Sequence, residues 1–260
     1  MMEDPNAEMA MNMPGELPPV EPGFGQKLIL AFTNPIKLFE SIQRQSSWLP
    51  PLIAIILVSI IAGLIAQPYI MPSVRQETMA YLSKIPNMPE DAIAKANEQF
   101  DKSSELTAKG VAMTVVGSIL MRTAAFFVVV TAIFLMGAIF FGGTAKYIKV
   151  MSMYAWVLPI WILGILIVTP LMIIKGSHAV SLSPAVIMPS DPFNSIYFFL
   201  KNLSFFNIWA VIVAGIGISV IYGITRAKGI IVMLILWGIW IVINSFIPFL
   251  NFQMAISGLT

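Results

Sequence analysis

Long apolar runs constrain this chain more than any other feature. One of them, residues 48–66, reads WLPPLIAIILVSIIAGLIA and contains no charged residue. A helix needs about twenty apolar residues to cross a hydrocarbon core of roughly 30 Å. Hydrophobic residues make up 58% of the chain and charged residues only 11%, whereas a soluble domain is roughly one quarter charged. We therefore expect lipid to surround most of the chain.

The fold class predicted by this pattern is an all-α integral membrane bundle of about five transmembrane helices. Because lipid offers no hydrogen bonds to the backbone, only helices or closed barrels can span it. The expected spans are 48–66, 123–141, 150–174, 203–225 and 229–250. Arg122 interrupts the second apolar run and would cost at least about 2.5 kcal/mol near mid-bilayer. We therefore expect that span to begin after Arg122, with the arginine extending to the interface.

Prolines and a short connection refine the later spans. Pro159 and Pro170 fall inside the third span and should kink it, since proline removes a backbone donor. Only residues 226–228 separate the fourth and fifth spans. We expect these two spans to be antiparallel neighbours.

The segments before, between and after the spans complete the predicted domain organisation. Residues 1–23 are acidic and rich in Pro and Met, which predicts a disordered tail. Residues 24–47 precede the five-span membrane domain, which covers 48–250 and includes a polar helical insert at 67–110. Residues 251–260 are expected to form a short tail.

The segment 24–47 is expected to contain an interfacial amphipathic helix. Asn34 and Pro35 suit an N-cap and a first helical residue. Helical spacing then places Leu38, Phe39 and Ile42 on one arc, away from the polar side chains. Alternatively, the same arc packs against a soluble loop of the protein itself.

The polar insert is expected to face water. Its second half contains acid-to-lysine pairs at i,i+4, an order that stabilises a helix, and these are Asp91 with Lys95, Glu98 with Lys102, and Glu105 with Lys109. Its first half, residues 68–86, is expected to be a separate, shorter helix between prolines.

The sequence predicts no catalytic, cofactor-binding or metal-binding residue. His178 is the only histidine, which excludes a zinc site built on paired histidines. Ser177 is adjacent to it, whereas a serine nucleophile and its base normally converge from separate elements. Asn244, in the fifth span, is expected to make one interhelical hydrogen bond.

Three further signals are weak. Met9, Met11 and Met13 could bind copper(I) through their thioethers, but a disordered tail explains them as well. The triplet at 202–204 matches a glycosylation site but adjoins a span. A net charge of +2 is too small for nucleic-acid binding.

Small residues at helical spacing predict close helix packing. Such residues let backbones approach each other in lipid, and they comprise Ser59 with Gly63, Ala138 with Gly142, Ala210 with Ala214, and the glycines Gly215 and Gly217. A packed bundle and self-association both fit this pattern.

Three stretches together resemble the Yip family of five-span membrane proteins, named for interaction with Ypt/Rab GTPases, in its bacterial branch. The stretches are NPIKLFESIQRQSSWLPP from Asn34, FGGTAKYIKVMSMYAWVLP from Phe141, and LSFFNIWAVIVAGIGISVIYGITRAKG from Leu203. The resemblance implies a non-enzymatic membrane protein that acts through protein partners or membrane organisation. The insert and the Met-rich tail do not correspond to a eukaryotic Rab-binding segment, so we do not extend the resemblance to GTPase binding.

Two main functions remain open at this stage. The first is a scaffold or accessory protein whose partners are the lipid bilayer and other membrane proteins, or a second copy of itself. The second is a subunit of a transporter or export system with a substrate path through the bundle, motivated by Pro159, Pro170 and Asn244. An intramembrane hydrolase using Ser177 is a third, weaker alternative.

The basic residues predict the orientation. The short links 142–149 and 225–228 contain lysine and arginine but no acid, as do cytoplasmic loops under the positive-inside rule. We expect a plasma (inner) membrane location with the N-terminus cytoplasmic and the C-terminus outside. In a eukaryotic cell the endomembrane system is the alternative.

A reporter fused after Thr260 tests this orientation. We expect a reporter that is active only outside the cytoplasm to be active, and a cytoplasm-dependent reporter to be silent. The opposite pair of signals would contradict the prediction.

Overall fold

Helices make up almost all of the structure. The computed structural model describes residues 21–83, 85, 88–104, 107–143, 145–188 and 194–257, and this part of the chain contains no strand. The helices are α1 (Phe24–Thr33), α2 (Pro35–Arg44), α3 (Leu49–Leu82), α4 (Glu90–Ser104), α5 (Ala108–Phe141), α6 (Tyr147–Ala155), α7 (Leu158–Lys175), α8 (Ser195–Asn202), α9 (Phe205–Tyr222) and α10 (Arg226–Ser257). Five helical stretches are long and apolar enough to cross a membrane, with α6 and α7 forming one of them. The predicted fold class is therefore confirmed.

Helix α9 lies at the centre of the bundle. It packs against α10, α2, α6 and α7. More than half of its apolar window is buried inside the protein, compared with about a quarter for the other four spans. The other helices therefore leave most of their apolar surface to the surrounding lipid.

The α9 and α10 backbones approach each other closely. A Cβ atom added to Gly215 would lie 2.5 Å from the Cα of Ile230. A Cβ atom on Gly229 would overlap the carbonyl oxygen of Gly215. Gly223 ends α9 in the left-handed region, with φ of 64°, a conformation that glycine adopts without strain. The predicted hairpin and the packing role of Gly215 are both confirmed.

The N-terminal segment forms two helices that pack against the bundle. The Asn34 side chain accepts a hydrogen bond from the Lys37 amide at 3.2 Å, as its predicted capping role requires. Leu38, Phe39 and Ile42 are fully buried. The Phe39 ring lies 3.1 Å from a Cβ atom that would be added to Gly217 of α9.

The protein's own helices cover this arc. The arc contacts α9 and α6, so the alternative that it packs against a soluble loop is wrong. The interfacial location of the segment stays a prediction. Ser41 of α2 is also buried, and its hydroxyl donates to the Leu38 carbonyl at 2.7 Å.

Trp156 anchors the N-terminal segment from the break between α6 and α7. Its indole N–H donates to the Ser47 carbonyl at 2.7 Å. Its ring lies 5.5 Å from the Phe24 ring and 6.0 Å from the buried Lys27 ammonium, measured between ring centroids and from the Nζ atom. At the predicted kink the helix is interrupted for two residues, Trp156 and Val157, and α7 then begins with Pro159 in its first turn.

Helix α3 also differs from the prediction. It continues without interruption through Pro68 and Pro72 to Leu82, over 34 residues, so the expected separate helix in the first half of the insert is wrong. A helix of this length extends about 51 Å. The hydrocarbon core of a bilayer is only about 30 Å thick. An untilted α3 therefore exceeds the hydrocarbon core by about 21 Å.

The ends of α5 and α10 can be compared with the predicted span ends. Helix α5 ends at Phe141, the predicted end of the second span, and Gly142 follows in the left-handed conformation. Close contact occurs at Gly137 and Gly143, which both face the Tyr222 ring, whereas a Cβ atom on Gly142 would have open space. The pair Ala138 and Gly142 is therefore not the packing site. Helix α10 continues past Leu250 to Ser257.

Replacing Gly215 with alanine should destabilise the bundle by about 1 to 3 kcal/mol, because the added Cβ atom meets backbone that cannot rotate away. Gly238→Ala is the matched control, since a Cβ atom there has open space, and alanine favours a helix over glycine. We expect heating in detergent to aggregate Gly215→Ala at a lower temperature than the parent and Gly238→Ala at an equal or higher one. Equal aggregation temperatures for both variants would contradict the proposed close crossing.

Candidate functional site

A partly open cleft lies among the transmembrane helices. Its volume is about 550 Å³, within the range of about 300 to 1,000 Å³ typical of small-molecule sites. Helix α7 forms its floor with an apolar stripe comprising Leu158, Trp161, Ile165, Val168 and Met172. Helix α5 and the start of α9 form two of its walls. The stripe extends about 21 Å along α7.

The polar groups at one wall bind each other. The Trp161 indole N–H donates to the Asn207 side-chain oxygen at 2.9 Å. The Asn207 amide group donates to the Asn202 carbonyl at 2.9 Å, and its backbone N–H donates to the Ser204 hydroxyl at 3.2 Å. Trp161 and Asn207 therefore fix the start of α9 against α7 without a ligand.

Arg122 lies on the opposite wall. Among the residues that line the cleft, it is the only charged one. Within the described part of the chain, no residue forms an ion pair or a hydrogen bond with its side chain. Arg122 therefore lines an otherwise uncharged cleft, while its extension to the interface stays a prediction.

A helical hairpin projects from the membrane domain and consists of residues 67–82 of α3 and residues 90–104 of α4. Arg75 joins its two helices. Its guanidinium donates to the Asp101 carboxylate at 2.8 Å and to the Asn97 side-chain oxygen at 3.0 Å.

Asp91 and Lys95 form the predicted i,i+4 pair at 3.7 Å. The outer face of α4 is exposed to solvent. The pairs involving Lys102 and Glu105 lie outside the described side chains.

A polar cluster lies at the base of this hairpin. His178 Nε2 is 3.3 Å from the Glu77 carboxylate, and the His178 backbone N–H donates to the Ser73 hydroxyl at 3.4 Å. Lys201 lies over the Tyr197 ring, with its Nζ 5.6 Å from the ring centroid. Burial lowers the pKa of Lys201, an effect that the Glu77 carboxylate opposes. Burial and Glu77 both raise the pKa of Tyr197.

The structure separates the residues singled out from the sequence. The Ser177 hydroxyl accepts the Ala179 backbone N–H at 3.2 Å, while His178 faces Glu77, so the two do not form a nucleophile and base. Asn244 is half-buried in α10, outside the cleft. The described residues give it none of the expected interhelical hydrogen bonds.

The structure adds little to two other signals from the sequence, the glycosylation triplet and the methionine run. The Asn202 amide donates to the Phe198 carbonyl at 2.9 Å, which commits the side chain of the glycosylation triplet to the end of α8. Met9, Met11 and Met13 lie outside the described residues.

Sequence reasoning missed the cleft and the Arg75 contacts. Arg75 is separated from its partners by 22 and 26 residues, so no local spacing indicated them. Arg122 was the one available signal, because an arginine that interrupts an apolar run requires a polar environment or a partner.

A family model described as the Yip1 domain matches residues 29–247 of the chain. The match extends from α1 into α10 and includes the cleft and the hairpin. No curated protein and no solved structure matches the chain.

Replacing Asn207 with leucine should destabilise the bundle by about 1–3 kcal/mol, the usual cost of a buried donor left without an acceptor. The group left unpaired is the Trp161 indole N–H. Asn244→Leu is the control, since this asparagine lacks such a partner among the described residues. We expect Asn207→Leu alone to lower the temperature of aggregation in detergent. A larger loss for Asn244→Leu would contradict the assigned hydrogen bonds.

Proposed function

Because this chain belongs to the Yip1 domain family, we propose that it is a non-enzymatic membrane scaffold that binds other proteins through its projecting hairpin. Its multi-pass membrane nature follows from the five apolar helices. Within that setting, the hairpin is the part that a protein partner in water can reach.

The observation that carries this proposal is the pair of contacts made by Arg75. They hold α4 against the extension of α3, with Asp101 and Asn97 as acceptors. A surface that is already ordered loses less entropy when a partner binds. The outer face of α4 also presents charges of both signs, with Asp91 and Lys95 exposed. Such a face suits a polar partner surface better than lipid.

The alternative of a substrate path receives less support. Asn244, which motivated it, lies outside the cleft. The stripe along α7 is apolar, and Pro170 lies within a helix that continues through it. A path for a polar solute requires polar groups along its length, and the described lining supplies few of them.

The hydrolase alternative is weaker still. A nucleophile requires a base within hydrogen-bonding reach. His178 pairs with Glu77, and the Ser177 hydroxyl accepts a backbone amide.

We further propose that the protein resides in the plasma (inner) membrane with its N-terminus in the cytoplasm. Residues 146, 149, 226 and 228 are basic and lie in or beside the short links on the side of the N-terminal segment, as the positive-inside rule requires of cytoplasmic links. The hairpin then lies on the outer side. Its partner would be a protein, or part of one, exposed on that side.

A photo-crosslinking residue at Ala94, which is exposed on α4, tests the proposal in intact membranes. We expect a discrete protein adduct from this position. The same residue at Ile139, which is 74% exposed on α5, should give no such adduct because lipid surrounds it. Protein adducts of equal yield from both positions, or none from Ala94, would contradict a specific hairpin partner.

Replacing Arg75 with alanine should loosen α4 with little effect on the whole fold, because an exposed pair contributes about 0 to 1 kcal/mol. We expect hydrogen exchange in α4 to rise up to about fivefold and the Ala94 adduct to weaken. Arg226→Ala, at the opposite end of the bundle, is the control and should change neither. An unchanged adduct despite faster exchange would show that an ordered hairpin is not what the partner recognises.

A further inference from the structure

No described residue compensates the charge of Arg122. The residue lies about four turns into an apolar helix. The lining of the cleft contains no carboxylate, and the described residues give the guanidinium no ion-pair or hydrogen-bond partner. A cation at such a position is costly unless it reaches water or an anion. The cleft thus presents a positive charge without a counter-charge.

The remainder of the cleft suits a hydrocarbon chain. The stripe along α7 extends about 21 Å, longer than the roughly 15 Å depth of hydrocarbon in one leaflet. The cleft is partly open rather than enclosed, and the helices that line it are membrane spans, so lipid can enter it from the bilayer. An acyl chain has the length and the apolar surface that this stripe requires.

Few polar groups in the cleft need a ligand. Asn207 and Trp161 bind each other. The Tyr154 hydroxyl forms no hydrogen bond with the described residues, and its ring packs on Phe126, with 5.8 Å between ring centroids. Phe126 is one turn along α5 from Arg122. The remaining polar side chains of the lining are the Arg122 guanidinium and the hydroxyls of Tyr154, Thr169 and Ser204, of which only Arg122 carries a charge.

We propose that this cleft binds an anionic phospholipid, with one acyl chain along α7 and the phosphate paired with Arg122. Arginine suits phosphate because its planar donors can form two parallel hydrogen bonds. Charge complementarity at Arg122 selects an anionic headgroup over a zwitterionic one, and the apolar stripe selects a lipid over a free anion. This site is separate from the hairpin and does not depend on the proposed protein partner.

Native mass spectrometry of the full chain in detergent tests the proposal with phosphatidylglycerol and phosphatidylcholine of identical acyl chains. We expect the parent protein to bind phosphatidylglycerol about fivefold more tightly, the factor expected for one basic residue near an anionic lipid. Arg122→Gln should abolish the preference, and Arg122→Lys should keep most of it. Arg226→Gln, which removes a distant exposed charge, should leave it unchanged.

A second pair of variants tests the location of the acyl chain. Val168→Trp places a large ring in the cleft and should weaken the binding of both lipids several-fold. Leu166→Trp, on the exposed face of α7, should bind both as the parent does. Monodisperse elution of each variant verifies folding. Arg75→Ala should retain the lipid preference, which separates this site from the hairpin.

Four results would overturn the proposal. The first is equal binding of both lipids by the parent protein. The second is a preference that survives Arg122→Gln. The third is an equal effect of the two tryptophan variants. The fourth is displacement of phosphatidylglycerol by millimolar inorganic phosphate, which would identify a free-anion site instead.

Discussion

The backbone contact between Gly215 and Gly229 is the interaction on which the bundle depends. Lipid is as apolar as a leucine side chain, so helices in a bilayer gain little from burying apolar surface against one another and must pack closely instead. The two glycines allow α9 and α10 to do so. On another side of α9, Gly217 admits Met153 and the Phe39 ring. One helix thus holds both the C-terminal span and the N-terminal segment.

The packing of the other helices around α9 leaves a cleft beside α5. Helix α5 contacts α3, α6, α9 and α10 only sparsely, and most of its apolar surface is exposed. The Trp161 to Asn207 hydrogen bond holds the start of α9 on α7, while α5 stands apart at the level of Arg122. The hairpin, by contrast, is held together by the polar contacts of Arg75. The molecule thus combines a closely packed centre, an apolar cleft and a hairpin joined by polar contacts.

Features encoded in adjacent residues could be predicted from the sequence. Apolar runs indicated the five spans and the end of the second one at Phe141, and Asn34 indicated a helix start. Features that depend on contacts between residues far apart in the sequence could not be predicted. Proline inside a helix usually interrupts it, yet α3 continues through Pro68 and Pro72. The spacing of Leu38, Phe39 and Ile42 identified a buried arc, but spacing carries no information about whether lipid or protein covers it.

The central claim is that one rigid bundle carries a lipid-filled cleft and an ordered hairpin. A cryo-electron microscopy map of the full chain in nanodiscs containing phosphatidylglycerol, with an antibody fragment to aid alignment, tests it most directly. We expect elongated density along the α7 stripe with a headgroup at Arg122, and α4 resolved against α3 through Arg75. A map in which α5 closes onto α7 and excludes lipid, with α4 detached from α3, would contradict the claim.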